Sequence, residues 1–123
     1  MLVLAITHLN IKNNIMRLIT NISKVEITDF EKEVGKELLI RAHHKECITY
    51  IARFDKCDIC EGGCLISVAG YGYTIDEALI DYCKQIKGKR LCLDSYSENR
   101  RYIEAPLNLQ HTKKVHGIYT NIS

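Results

Sequence analysis

At 123 residues the chain has the length of one domain and enough material to bury its own core. An apolar fraction of 46% excludes an unfolded polar polymer, and 17 basic against 15 acidic side chains exclude a general nucleic-acid binder, so any cationic site has to be local. No apolar run reaches the length of a membrane-spanning helix, which leaves no membrane role to expect.

The first residues are apolar for six positions, too few and without the basic flank of a secretory signal, and read as a strand or the lead into a helix. The expectation is a soluble, cytoplasmic protein whose six cysteines are reduced thiols. Over residues 10–22, Ile11, Ile15, Leu18, Ile19 and Ile22 recur at spacings of three and four, with Lys12, Asn13, Asn14 and Arg17 between them. That period predicts an amphipathic N-terminal helix.

From Lys24 the period becomes two. Val25 and Ile27 alternate with Glu26 and Thr28 as a strand with one wet face would, with Asp29 at its end. A second strand is expected over residues 37–43 and a third, rich in β-formers, over 47–54. His43, His44, Lys45 and Glu46 read as the hairpin turn between them. Residues 55–63, with aspartates, lysine, Gly62 and Gly63, read as the loop to a fourth strand over 64–69.

The next helix has the clearest signal. Thr74 stands at the N-cap with Glu77 three residues on, the pattern of a capping box. Ile75, Ala78, Leu79, Tyr82, Cys83 and Ile86 make an apolar stripe, Lys84 and Lys87 suit the negative end, and Gly88 follows where a left-handed residue belongs. Short strands are then expected over 90–93 and 102–105, the latter ending at Pro106, before a polar tail. The fold class is α+β: an antiparallel sheet of about five to six short strands, one strongly amphipathic helix (74–87) and an N-terminal helix (10–22), in a single domain over 1–123.

No complete catalytic motif is present. Ser67, Ser95 and Ser97 lack a nucleophile elbow, and capping and dipole effects account for Asp76 and Glu77, while Asp81 lies in the same helix. Neither an enzyme nor a cofactor is expected. The spacing Cys57-x-x-Cys60-x-x-x-Cys64, with Cys47, His43 or His44 as a fourth ligand, is open to two readings: a zinc site, or a hairpin loop of reduced thiols. Only one tight cysteine pair exists, which favours the loop. His43 and His44 are adjacent and would diverge on a strand, so a solvated turn explains them more simply than a metal site.

Two stretches carry ligand-binding chemistry. Gly70-Tyr71-Gly72-Tyr73 precedes a helix N-terminus, where glycines admit close approach and backbone amides attract anions. The alternative is a strand end whose tyrosines pack on the sheet. Tyr96 to Tyr102 places Tyr96 beside Asn99, Arg100 and Arg101, offering a ring face for a base and planar cations for phosphate. A solvated loop is the competing explanation, and Arg100 and Arg101 are expected to point apart. The candidate ligand-binding residues are Tyr71, Tyr73, Tyr96, Asn99, Arg100 and Arg101.

The segment over residues 68–106, with Gly-Tyr-Gly-x-Thr-x-x-Glu-Ala, a following Ile-x-Gly-Lys and an Arg-Arg before proline, resembles the first type of the Thoeris anti-defence sponge family of phages and prophages. The likeness covers about a third of the chain. It implies a non-enzymatic mixed α/β homo-oligomer that sequesters a cyclic ADP-ribose isomer, or a related cyclic nucleotide, without cleaving it. Two other readings stand beside it: a phage inhibitor acting by direct protein–protein binding, in the manner of an anti-CRISPR, and a small zinc-stabilised nucleic-acid module.

Overall fold

A computed structural model describes residues 24–44 and 47–114, and the helix expected over 10–22 lies outside them. The described chain is α+β. It begins with β1 (Val25–Glu26), which runs straight into helix α1 (Ile27–Val34). The strand expected from residue 24 therefore ends after two residues. Ile27, Phe30 and Val34 are fully buried at helical spacing, and burial of that stripe overrides the short alternation at Val25 and Ile27. Gly35, at φ 72°, ends the helix in the left-handed conformation and donates its N–H to the Glu31 carbonyl.

Strands β2 (Leu38–His44) and β3 (Ile48–Phe54) form an antiparallel hairpin in which His44 faces Ile48. His43 and His44 thus belong to the strand rather than to the turn, and both are exposed. Next comes a strand where a loop was expected: β4 (Cys57–Glu61). Cys57 and Ile59 alternate inward with Asp58 and Cys60 outward, so the pattern is that of a half-buried strand despite its polar composition. Gly62 and Gly63, at φ 59° and 78°, make a two-residue hairpin to β5 (Cys64–Ile66), with Glu61 opposite Cys64.

Strand β6 (Gly70–Gly72) joins β3, and helix α2 (Ile75–Ile86) follows. Its cap is close to the expected one. Thr74 Oγ1 accepts from the Glu77 N–H at 3.1 Å, while the Glu77 carboxylate accepts from Tyr73 N–H, one residue short of the reciprocal bond. Ala78, Leu79, Tyr82, Cys83 and Ile86 are buried, and Gly88 at φ 69° ends the turn. Strands β7 (Arg90–Leu93), β8 (Arg101–Glu104) and β9 (Leu109–Gln110) complete the order.

Pairing divides the strands into three sheets: β1–β9, which is parallel, β2–β3–β6, and β5–β4–β7–β8. One buried cluster unites them through Ile27, Phe30, Ile40, Phe54, Ile59, Leu79, Tyr82, Leu91 and Leu93. Phe54 stands edge-on to both Phe30 and Tyr82, with centroids 5.9 and 5.8 Å away. Its N–H donates to the Tyr82 hydroxyl at 3.1 Å, so the buried phenol oxygen is satisfied. Among the described residues no helix is long and apolar enough to cross a membrane.

Candidate functional site

Strand β4 sets up the site because its alternation divides chemistry between two faces. Cys57 and Ile59 enter the core, and burial pushes the Cys57 thiol up to about 11. Asp58 and Cys60 face the other way. Across the ladder Asp58 meets Cys92 and Cys60 meets Arg90, while Cys92 meets Tyr102 on β8. The outer face of this sheet therefore gathers a carboxylate, two thiols, a guanidinium and a phenol.

Two clefts open along it, on either side of the segment joining β7 to β8. The first, about 550 Å³, is lined by Arg53, Lys56, Asp58, Asp94, Ser95, Tyr96, Ser97 and Asn99. The second, about 560 Å³, is lined by Cys60, the Gly62–Gly63 turn, Cys64, Leu65, Arg90, Arg100 and Tyr102, with Glu61 at its edge. Arg100 stands between them. Its Nε donates to the Ser95 carbonyl at 2.8 Å, so one guanidinium braces the loop of the first cleft while lining the second.

In the first cleft the two carboxylates are already engaged. Asp94, at φ 53°, pairs with Lys36 at 2.8 Å, and that hydrogen bond, against the opposing effect of desolvation, holds its carboxyl below the ordinary 3.8. Asp58 accepts from the Ser95 hydroxyl at 3.0 Å. Among the described residues Arg53 makes long hydrogen bonds, 3.4 Å to Ser67 Oγ and to its neighbour's carbonyl. Tyr96 is 95% exposed, a ring with both faces open. In the second cleft the Arg90 guanidinium lies 4.4 Å over the Tyr102 ring, and Glu61 is paired with Lys89.

The six residues predicted from sequence do not converge. Tyr96 and Asn99 line the first cleft and Arg100 the second. Arg101 points the opposite way, as expected of its neighbour on a strand, and donates to the Val34 carbonyl at the end of α1. Tyr71 and Tyr73 are exposed on the β6 side and line neither cleft.

The Gly-Tyr-Gly-Tyr stretch is occupied by helix packing. A Cβ on Gly72 would come within 2.5 Å of the Glu77 Cβ, and one on Gly70 within 2.6 Å of the Tyr82 Cβ. Tyr71 and Tyr73 N–H groups donate to Asp81 and Glu77, both at 2.9 Å. The glycines admit a helix, and the Tyr71, Tyr73 and Glu77 amides are already engaged by side chains of that helix and its cap.

Sequence reasoning missed Arg53, Lys56 and Arg90, Tyr102 as a lining residue, and Cys60 as a lining thiol. The outward register of β4 is the signal that points to Cys60 and, across the ladder, to Arg90 and Tyr102, whereas Arg53 and Lys56 reach the cleft by tertiary folding. Cys57 and Cys60 face opposite sides of that strand, so they cannot share a metal ion there. Among the described residues no group of three or more His, Cys, Asp and Glu is placed to hold one.

Comparison with protein families, characterised proteins and solved structures finds no match to this chain.

Proposed function

We propose that the protein is a non-enzymatic binder of an anionic, ring-bearing nucleotide of the cyclic ADP-ribose kind, held in the cleft beside Tyr96 and left intact. In the setting implied by the sequence resemblance, it is a phage-encoded sponge that removes an immune signal from the cytoplasm of its bacterial host. The carrying observation is the meeting of Tyr96 and Asn99 with Arg53 and Lys56 around one cleft of about 550 Å³. A flat, exposed ring suits a base, and two cations without a close carboxylate partner among the described residues suit a pyrophosphate. Lys36 pairs with Asp94, and together with Arg53 and Lys56 it outnumbers the two acidic residues in the cleft wall, so the cleft favours an anion. Assembly into a homo-oligomer would add a second wall to a cleft this open.

Calorimetry against cyclic ADP-ribose isomers tests the reading. Tight binding is expected, with recovery of unaltered ligand after heat denaturation. Tyr96→Ala should cost roughly 1–3 kcal/mol of binding, the worth of a base stacked on an aromatic ring. Absence of binding, or a cleaved ligand in the released fraction, would refute the proposal.

A direct protein-binding role draws on a different observation. Every residue of β5 is exposed, including Leu65 and Ile66, and the strand forms one edge of its sheet. Such an edge can accept a strand from another protein. A stable complex with a host protein, with no thermal shift from any nucleotide, would favour that reading.

A further inference from the structure

The second cleft holds chemistry that nucleotide binding does not use. Cys60 is half-buried at its wall, whereas Cys92 is fully buried on the next strand. Because Asp58 faces Cys92 and Cys60 faces Arg90, the two cysteines are diagonal neighbours on the same face of the ladder. The Cys92 thiol is near enough to help raise Cys60 above its ordinary value. Two guanidinium groups, from Arg90 and Arg100, line the same opening.

We infer that Cys60 and Cys92 form a dithiol exchange site that accepts a low-molecular-weight disulfide bearing carboxylates and closes into an intramolecular disulfide. The cations attract the carboxylates, and the cleft admits the small molecule to Cys60. Cys60 thiolate attacks one sulfur of the incoming disulfide. A mixed disulfide forms and one small thiolate leaves. Cys92, deprotonated as the leaving group takes up its proton, then attacks the Cys60 sulfur. The second small thiol departs and the Cys60–Cys92 bond remains. The protein has lost two hydrogens, and the small disulfide has been reduced to two thiols.

The arrangement separates the roles of the two sulfurs. Cys92 is closed to solvent and cannot meet the small molecule first, while Cys60 lies against it and cannot stay modified for long. A bridge between diagonal strand neighbours departs from relaxed disulfide geometry, which makes it readily reducible and the exchange reversible. Burial and the neighbouring Cys92 thiol raise Cys60 above the ordinary 9.0, against the pull of Arg90 and Arg100. Asp58, Glu61 and Glu104 are the acidic groups on the surrounding strands, the last two already paired with Lys89 and Arg90. Exchange therefore runs through a minor thiolate population at neutral pH and quickens as pH rises.

The test uses the full chain with Cys47→Ser and Cys64→Ser, which removes the two exposed thiols. It is treated with oxidised glutathione and followed by intact mass and peptide mapping. The expected product is a Cys60–Cys92 disulfide with no retained adduct. Cys92→Ala should stop at a single glutathione adduct on Cys60, and Cys60→Ser should take none. Arg90→Gln and Arg100→Gln should each slow the reaction by up to about fivefold, the size of an exposed charge pair, and leave the rate with neutral hydroxyethyl disulfide unchanged. A lasting adduct on Cys60 while Cys92 is present would overturn the inference. So would a Cys60 that stays unmodified in the folded protein, or equal slowing with both disulfides. The protein retaining Cys92 decides the matter even if Cys92→Ala fails to fold.

Discussion

Glu26 shows how much one side chain can organise. It is buried at 8% exposure where β1 meets β9, and its carboxylate accepts from the Thr112 N–H at 3.0 Å, from the Thr112 hydroxyl, and from Gln110 at 3.4 Å. Burial pushes this carboxyl up, but the Thr112 bonds and nearby His111 bring it below the ordinary 4.5. A depressed folded-state value has a definite sign. The contribution is complete above 4.5, where the unfolded group is ionised too, and is lost as pH falls through the folded value. Thr112→Val should therefore lower stability at neutral pH by about 1 kcal/mol and flatten the acid limb of the stability curve. Urea unfolding of both proteins across the acid range checks this. An unchanged acid limb would mean that Glu26 does not anchor the pairing of β1 with β9.

At the scale of elements, α2 and β6 depend on the absence of two side chains. Gly72→Ala would drive a methyl group to within 2.6 Å of the Ala78 nitrogen, inside the helix backbone, where no rotamer change can relieve it. A loss of at least about 1–3 kcal/mol is expected. Thr74→Ala removes only the capping bond and should cost about 1 kcal/mol. Thermal unfolding of the two variants separates these effects, and a Gly72→Ala protein as stable as the parent would show that β6 does not pack as described. The same elements show what the sequence could reveal. Helix α2 was legible because its cap, stripe and terminal glycine all agree. Helix α1 was not, since Glu26 at its N-cap makes no capping bond and the alternation of Val25 with Ile27 masks the helical spacing of Ile27, Phe30 and Val34. Strand β4 was hidden by its aspartate and cysteines, and the outward positions of Asp58 and Cys60 become meaningful only when β7 lies beside them. Tyr96 and Asn99 were within reach of residue chemistry, but Arg53 and Lys56 reach the cleft by tertiary folding alone. Tyr71 and Tyr73 carry suitable chemistry, and packing of α2 keeps them away from it.

Across the whole molecule, the cleft beside Tyr96 depends on residues that never line it. Lys36, just after α1, holds Asp94, and Arg101 bonds the end of α1 from β8, so the loop carrying Tyr96 and Asn99 is tied at both sides to one helix terminus. The protein is close to neutral overall, so the anion preference proposed for this cleft has to come from how these charges are paired. Lys36→Gln would leave Asp94 in the cleft wall without its close partner, with only the more weakly acting Lys56 and Arg101 nearby. Affinity for a cyclic ADP-ribose isomer should fall by up to about fivefold, and the loss should shrink as salt screens the freed charge. Adding Asp94→Asn removes that charge and should restore most of the affinity, although the tie itself stays broken. A calorimetric double-mutant cycle at low and moderate salt distinguishes the two contributions. If Lys36→Gln weakens binding equally at both salt concentrations and Asp94→Asn restores nothing, the pair serves only to hold the loop in place. If Lys36→Gln has no effect, the ligand does not occupy this cleft.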